Sequence, residues 1–111
     1  MSKRDYRLLL EDILEAIDKI KTYTKGLSYE QFVDDIKTLD AVIRNFEIIG
    51  EAAHNIPEAV KDKYHEIDWH KIVGIRNRII HEYFGVDYKI LWRIISNNLD
   101  ELKENIENIL K

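Results

Sequence analysis

The chain has 111 residues and a formal net charge of −4, which excludes a generically cationic nucleic-acid coat and makes any contact with nucleic acid local. At 45% hydrophobic and 34% charged it holds both a core and a charged exterior, as one soluble domain over residues 1–111 needs. It contains no cysteine, so disulfides, zinc-thiolate sites, iron–sulfur clusters and thiol nucleophiles are excluded together, and the cytoplasm is the expected compartment.

Four Gly and one Pro leave few places to turn and favour long helices over hairpins. The first apolar run, Leu8 to Leu10, meets Glu11 and Asp12 at once, so neither a signal peptide nor a membrane span is expected. Tyr6, Leu9, Leu10, Ile13, Ile17, Ile20 and Tyr23 recur at three- and four-residue steps and predict an amphipathic helix that stops at Gly26. Ser28 with Gln31 has the form of a capping box and Leu27 with Phe32 the spacing of a hydrophobic staple, which together start a second helix. That helix carries Phe32, Ile36, Leu39, Ile43, Phe46, Gly50 and Ala53, flanked by Val42, Ile49 and Ile56. A stripe this wide predicts more than one neighbour, within the chain or across a subunit boundary.

Pro57 closes the second helix and a short one follows over Glu58 to Tyr64. Asp68 caps a helix that begins at Trp69 and runs towards His81, with Gly74 weakening its middle and Phe84-Gly85-Val86 ending it. Asp87 caps one last helix whose Ile90, Leu91, Ile94, Ile95, Leu99, Leu102, Ile106 and Ile109 keep the helical period. The predicted fold class is all-α: an antiparallel bundle of about four long helices plus a short one.

Residues 61–81 are the only net positive block, with five basic and three acidic side chains. Within it Arg76 and Arg78 suit phosphate, His81 suits proton transfer near neutral pH, and Asn77 can hydrogen-bond either. The bland alternative is a solvated helix face with a satisfied core histidine. At about 100° per residue Asn77, Arg78 and His81 share one face, whereas Arg76 and His81 lie roughly 140° apart. Three ways to unite them stay open: a helix that loosens near Tyr83-Phe84-Gly85, an Arg76 that reaches round the helix, or groups from a second subunit.

With Arg76, Asn77, His81 and Tyr83 in an Arg-x4-His-x-Tyr arrangement, the chain resembles the HEPN domains, and within them the HepT-like toxins paired with minimal nucleotidyltransferase (MntA-like) antitoxins. Ile49-Gly50-Glu51-Ala52-Ala53, Ile56-Pro57-Glu58, Trp69 and Tyr83-Phe84-Gly85-Val86-Asp87 look like the family's usual sequence, so the resemblance spans nearly the whole chain. It implies a HEPN-like α-helical homodimer, the toxin of a type VII toxin-antitoxin pair. Its activity would be that of an endoribonuclease needing neither metal nor other cofactor, with the Arg and His of both subunits facing a shared cleft. It also implies that Tyr83 accepts AMP from the partner nucleotidyltransferase, which silences the toxin.

Cleaving RNA through its own 2′-hydroxyl needs a base and an acid, yet the motif supplies one histidine per chain, and a two-fold axis supplies the second. Arg76 and its symmetry mate would stabilise charge on the phosphorane oxygens. Two roles stay open for Glu51: an ion pair with Arg76 or Arg78 beside the cleft, or an ordinary exposed carboxylate. Gly50 is read as a point of close helix contact. His54, His65 and His70 fall outside the motif and lack paired carboxylates at ligand spacing, so they are read as surface or helix-end residues with no metal. The competing function is a catalytically silent HEPN module that binds nucleotide or a nucleotidyltransferase. The presence of Arg76, Asn77 and His81 favours the enzyme.

Overall fold

The computed structural model describes residues 5–81 and 87–111, the side chains of residues 78–81 excepted. Its elements are the helices α1 (Tyr6–Thr24), α2 (Tyr29–Asp34), α3 (Ile36–His54), α4 (Glu58–Lys63), α5 (Trp69–His81), α6 (Tyr88–Asn97) and α7 (Leu99–Leu110). The fold is all-α, with no strand among the described residues.

Local chemistry sets most of the boundaries. Gly26 ends the first helical segment with φ at +78°, a conformation other residues rarely adopt. Ser28 and Gln31 close a reciprocal capping box at the start of α2. Pro57 stands just before α4, and Asp68 accepts from the Lys71 backbone N–H at 3.0 Å to cap α5. Asp87 accepts from the Lys89 N–H at 2.8 Å and caps α6. The expected end at Phe84-Gly85-Val86 lies outside the described residues.

Two of the expected helices are each broken in two. The second divides at Asp35, whose φ of −95° and ψ of 89° leave the helical region. Asp35 closes α2 through its own N–H to Gln31 O, and its carboxylate opens α3 by accepting from the Thr38 N–H and hydroxyl. An aspartate that satisfies the orphan groups of both helix ends is more stable there than inside one continuous helix. Ile36, placed on the apolar stripe by periodicity, is consequently 70% exposed. The last helix divides at Asn98, which ends a Ser96-Asn97-Asn98 run of weak helix formers and donates its N–H to Ile94 O. The bundle therefore has two short helices, α2 and α4, rather than one, and its C-terminal arm is the α6–α7 pair.

The central helix α3 packs on α1 on one side and on α5 on the other. Leu10, Ile13, Ile17 and Ile20 of α1 meet Val42, Phe46, Ile49 and Ala53 of α3 in a core closed by Leu99 and Ile106 of α7. Tyr23, read as part of the α1 stripe, is exposed, and Thr24 turns inward instead with its hydroxyl donating to Ile20 O at 2.8 Å. Arg7 reaches Leu110 O while Lys21 pairs with Asp100, so α1 and α7 run antiparallel. Tyr29 and Phe32 of α2 stack against Trp92 of α6 with ring centroids 6.2 and 5.1 Å away.

Candidate active site

The helix that carries the motif is fixed at its start. Trp69 is buried and its indole Nε1–H donates to Tyr64 O at 3.1 Å, which ties the first turn of α5 to the end of α4. Seven residues on, Arg76 lies against α3 at Gly50. A Cβ on Gly50 would stand 1.9 Å from the Arg76 Cβ and 2.9 Å from its Cγ, so only glycine leaves room for this stem. The reading of Gly50 as a point of close helix contact agrees with this geometry.

From that groove the guanidinium extends along α3. Its Nη2 lies 2.8 Å from Glu51 Oε2, and its Nη1 donates to Asn77 Oδ1 at 3.0 Å. The Nε is buried and has no partner among the described residues. Of the two roles left open for Glu51, the structure forms the ion pair with Arg76. Asn55, the residue after α3, donates its side-chain amide to Glu51 Oε1 at 3.3 Å and to Glu51 O at 3.0 Å. With Arg76 24% and Glu51 53% exposed, water screens the pair, and about 1 kcal/mol is the most it adds to stability. Its consequence is geometric, because it fixes where a cation points.

Three ways of uniting Arg76 with His81 were open. The chain is α-helical through His81, and the expected loosening near Tyr83-Phe84-Gly85 lies outside the described residues. Arg76 Nη1 meets the side chain of the neighbouring Asn77, which shares a face with His81 by helical period. The side chains of Arg78 and His81, and the whole of Tyr83, lie outside the described residues. His54, His65 and His70 are exposed and line one shallow groove with Glu58 and Asp62. Among the described residues, no three His, Asp or Glu side chains converge as a metal site requires. Asn55 was not singled out in the sequence; its position four residues after Glu51 at a helix end was the available signal.

Chemically, the site offers an anchored guanidinium with one N–H on each Nη uncommitted among the described residues. That geometry suits a phosphate oxygen pair.

An all-α chain that seats an arginine between two helices, on a helix that also carries a histidine five residues on, has the architecture of a HEPN-like domain. The chain belongs to the Ribonuclease HepT-like family, whose model matches residues 13–109. It is similar to the protein of Thermococcus cleftensis named "Probable ribonuclease HepT", at 43% identity over 109 residues, covering 98% of this chain and 99% of that one. It is also similar to a candidate RNase of Methanocaldococcus jannaschii, 40% identical over 111 residues, which are 100% of this chain and 92% of the other. A candidate RNase of Caldanaerobacter subterraneus is 40% identical over 105 residues, 95% of this chain and 94% of its own. No solved structure matches the chain.

Proposed function

We propose that this protein is a metal-independent endoribonuclease, the toxin of a type VII pair whose antitoxin is a minimal nucleotidyltransferase. The observation that carries the reading is Arg76, held between Gly50, Glu51 and Asn77 on the helix that also carries His81, in a member of a ribonuclease family. Among the described residues no helix is long and apolar enough to cross a membrane. We take the chain as a single cytoplasmic domain.

In the proposed reaction a base removes the proton of an RNA 2′-hydroxyl and that oxygen attacks the adjacent phosphorus. The bond to the 5′-oxygen breaks, an acid returns a proton to the leaving oxygen, and the products are a 2′,3′-cyclic phosphate and a 5′-hydroxyl. His81 and its symmetry mate in a homodimer fill the two proton-transfer roles, and Arg76 stabilises the charge growing on the phosphorane. Arg78 and Asn77 orient the substrate backbone and Arg76 respectively.

The test is cleavage of RNA by purified protein in excess EDTA with analysis of the new ends. A cyclic phosphate or its hydrolysis product supports the reading. Absence of cleavage across RNA substrates, or activity that EDTA abolishes, would overturn it.

A further inference from the structure

We propose that Glu51 and Asn55 are positioning residues that hold the Arg76 guanidinium in its phosphate-binding pose, an inference that rests on the RNA-cleaving function proposed above. Arginine has many rotamers, and a phosphate clamp built from one works only if the head group is held before the substrate arrives. The contact with Gly50 fixes the stem as far as Cγ, but the torsions beyond it are left to the polar contacts of the head.

Those contacts come from two helices. Asn77, the next residue on α5, takes Nη1, and Glu51 of α3 takes Nη2, so the guanidinium plane is held at both ends. Glu51 is itself half exposed and needs its own support. Asn55 gives it, because one amide nitrogen is tied to the Glu51 carbonyl at 3.0 Å and touches the carboxylate at 3.3 Å. The end of α3 thus forms a seat of three parts: Gly50 for the stem, Glu51 for the head and Asn55 to steady Glu51.

The rival role for Glu51 is an electrostatic brake that competes with RNA phosphate for Arg76. The geometry favours positioning. Glu51 occupies only Nη2, each Nη keeps an uncommitted N–H among the described residues, and water screens the carboxylate.

The experiment combines kinetics on an RNA oligonucleotide with 15N NMR of the Arg76 guanidinium in the full chain. Glu51→Ala is expected to lower kcat about tenfold with KM little changed, and Asn55→Ala to lower it less. Glu51→Gln keeps an acceptor oxygen at the same reach and is expected to restore most of the loss. The Nη signals of Arg76 should be resolved in the wild type and collapse to an average in Glu51→Ala as the head group rotates freely. A Glu51→Ala variant as fast as wild type or faster, a Gln variant no better than Ala, or unchanged Arg76 signals would each overturn the inference. If wild-type protein fails to cleave RNA, the functional reading falls, while the NMR comparison still decides whether Glu51 seats Arg76.

Discussion

Gly50 and the stem of Arg76 occupy one crossing so closely that a Cβ on the glycine would lie 1.9 Å from the arginine Cβ and 3.0 Å from its Cα. Alanine in a helix interior is ordinarily better than glycine by about 1 kcal/mol. Here the collision is with atoms at the root of a side chain, which cannot swing aside, and overpacking of this kind costs about 1–3 kcal/mol. Gly50→Ala is therefore expected to lower thermal stability and to displace Arg76. At Gly74 an added Cβ meets nothing within 4 Å, so Gly74→Ala should raise stability by up to about 1 kcal/mol. Thermal melts of the two variants check both signs, and a more stable Gly50→Ala would show that α3 and α5 do not cross as described.

The proposed roles within the motif differ in kind, so their losses should differ in size. His81→Ala and Arg76→Ala are each expected to reduce RNA cleavage by about a hundredfold or more, since one removes proton transfer and the other charge stabilisation. Asn77→Ala removes one tether of the Arg76 head while Glu51 remains, and a loss smaller than either is expected. Initial rates on folded variants, matched by circular dichroism, provide the comparison. Full activity in either of the first two variants would remove that residue from the mechanism.

Much of this architecture was legible in the sequence because it is written in local chemistry. The capping box at Ser28, the stop at Gly26, the turn before Pro57 and the caps at Asp68 and Asp87 each depend on residues within one turn of the boundary. The breaks at Asp35 and Asn98 were missed because apolar periodicity runs on across both. Phe32 and Leu39, and likewise Leu91 and Leu99, are buried on either side of their break, so hydrophobic pattern alone cannot see the interruption. Asp35 with Thr38 three residues on was the overlooked signal at the first. Of the site, Arg76, Asn77 and Glu51 could be singled out by residue type, but that Glu51 pairs with Arg76 required the helix crossing at Gly50. Asn55 escaped notice because its contribution is a contact to another polar side chain rather than a chemistry of its own.

The α2–α3 junction should be acid-sensitive. Hydrogen bonds from the Thr38 hydroxyl and backbone hold the Asp35 carboxyl below the usual aspartate range. A group whose pKa is lower in the folded protein stabilises it above the unfolded value, about 3.9, and that contribution is lost as pH falls through the folded value. Wild-type protein should therefore lose stability between about pH 4 and lower pH more steeply than Asp35→Ser, which caps without titrating. Chemical denaturation across that range reads the difference, and equal slopes would show that the cap at Asp35 contributes no acid sensitivity.

A homodimer is proposed because the reaction has a base role and an acid role to fill while the motif supplies one histidine per chain, and because the apolar stripe of the second expected helix is wide enough for a neighbour across a subunit boundary. Sedimentation of the 13.2 kDa chain at micromolar concentration is expected to give a dimer. A monomer that retains cleavage activity would rule out the composite cleft.

Control of the toxin is proposed to act through Tyr83, which stands two residues after His81 and outside the described residues. The phenolic oxygen would attack the α-phosphorus of ATP on the partner nucleotidyltransferase, pyrophosphate would leave, and the phenolic proton would pass to a base or to water. The product carries a negatively charged phosphodiester and a bulky adenosine beside the motif. In this proposal the phosphodiester would take the N–H groups of Arg76 that are uncommitted among the described residues, in place of the RNA backbone, and the adenosine would exclude the substrate strand. Incubation with the cognate nucleotidyltransferase, ATP and Mg²⁺ is therefore expected to add one or more AMP units at Tyr83 and to suppress RNA cleavage. Tyr83→Phe should stay active and resist silencing, because it keeps the ring but lacks the acceptor oxygen. Peptide mass spectrometry locates the modification. With a partner shown to be active, no mass increase, or an adduct confined to Tyr6, Tyr23, Tyr29, Tyr64 or Tyr88, would defeat this mode of control.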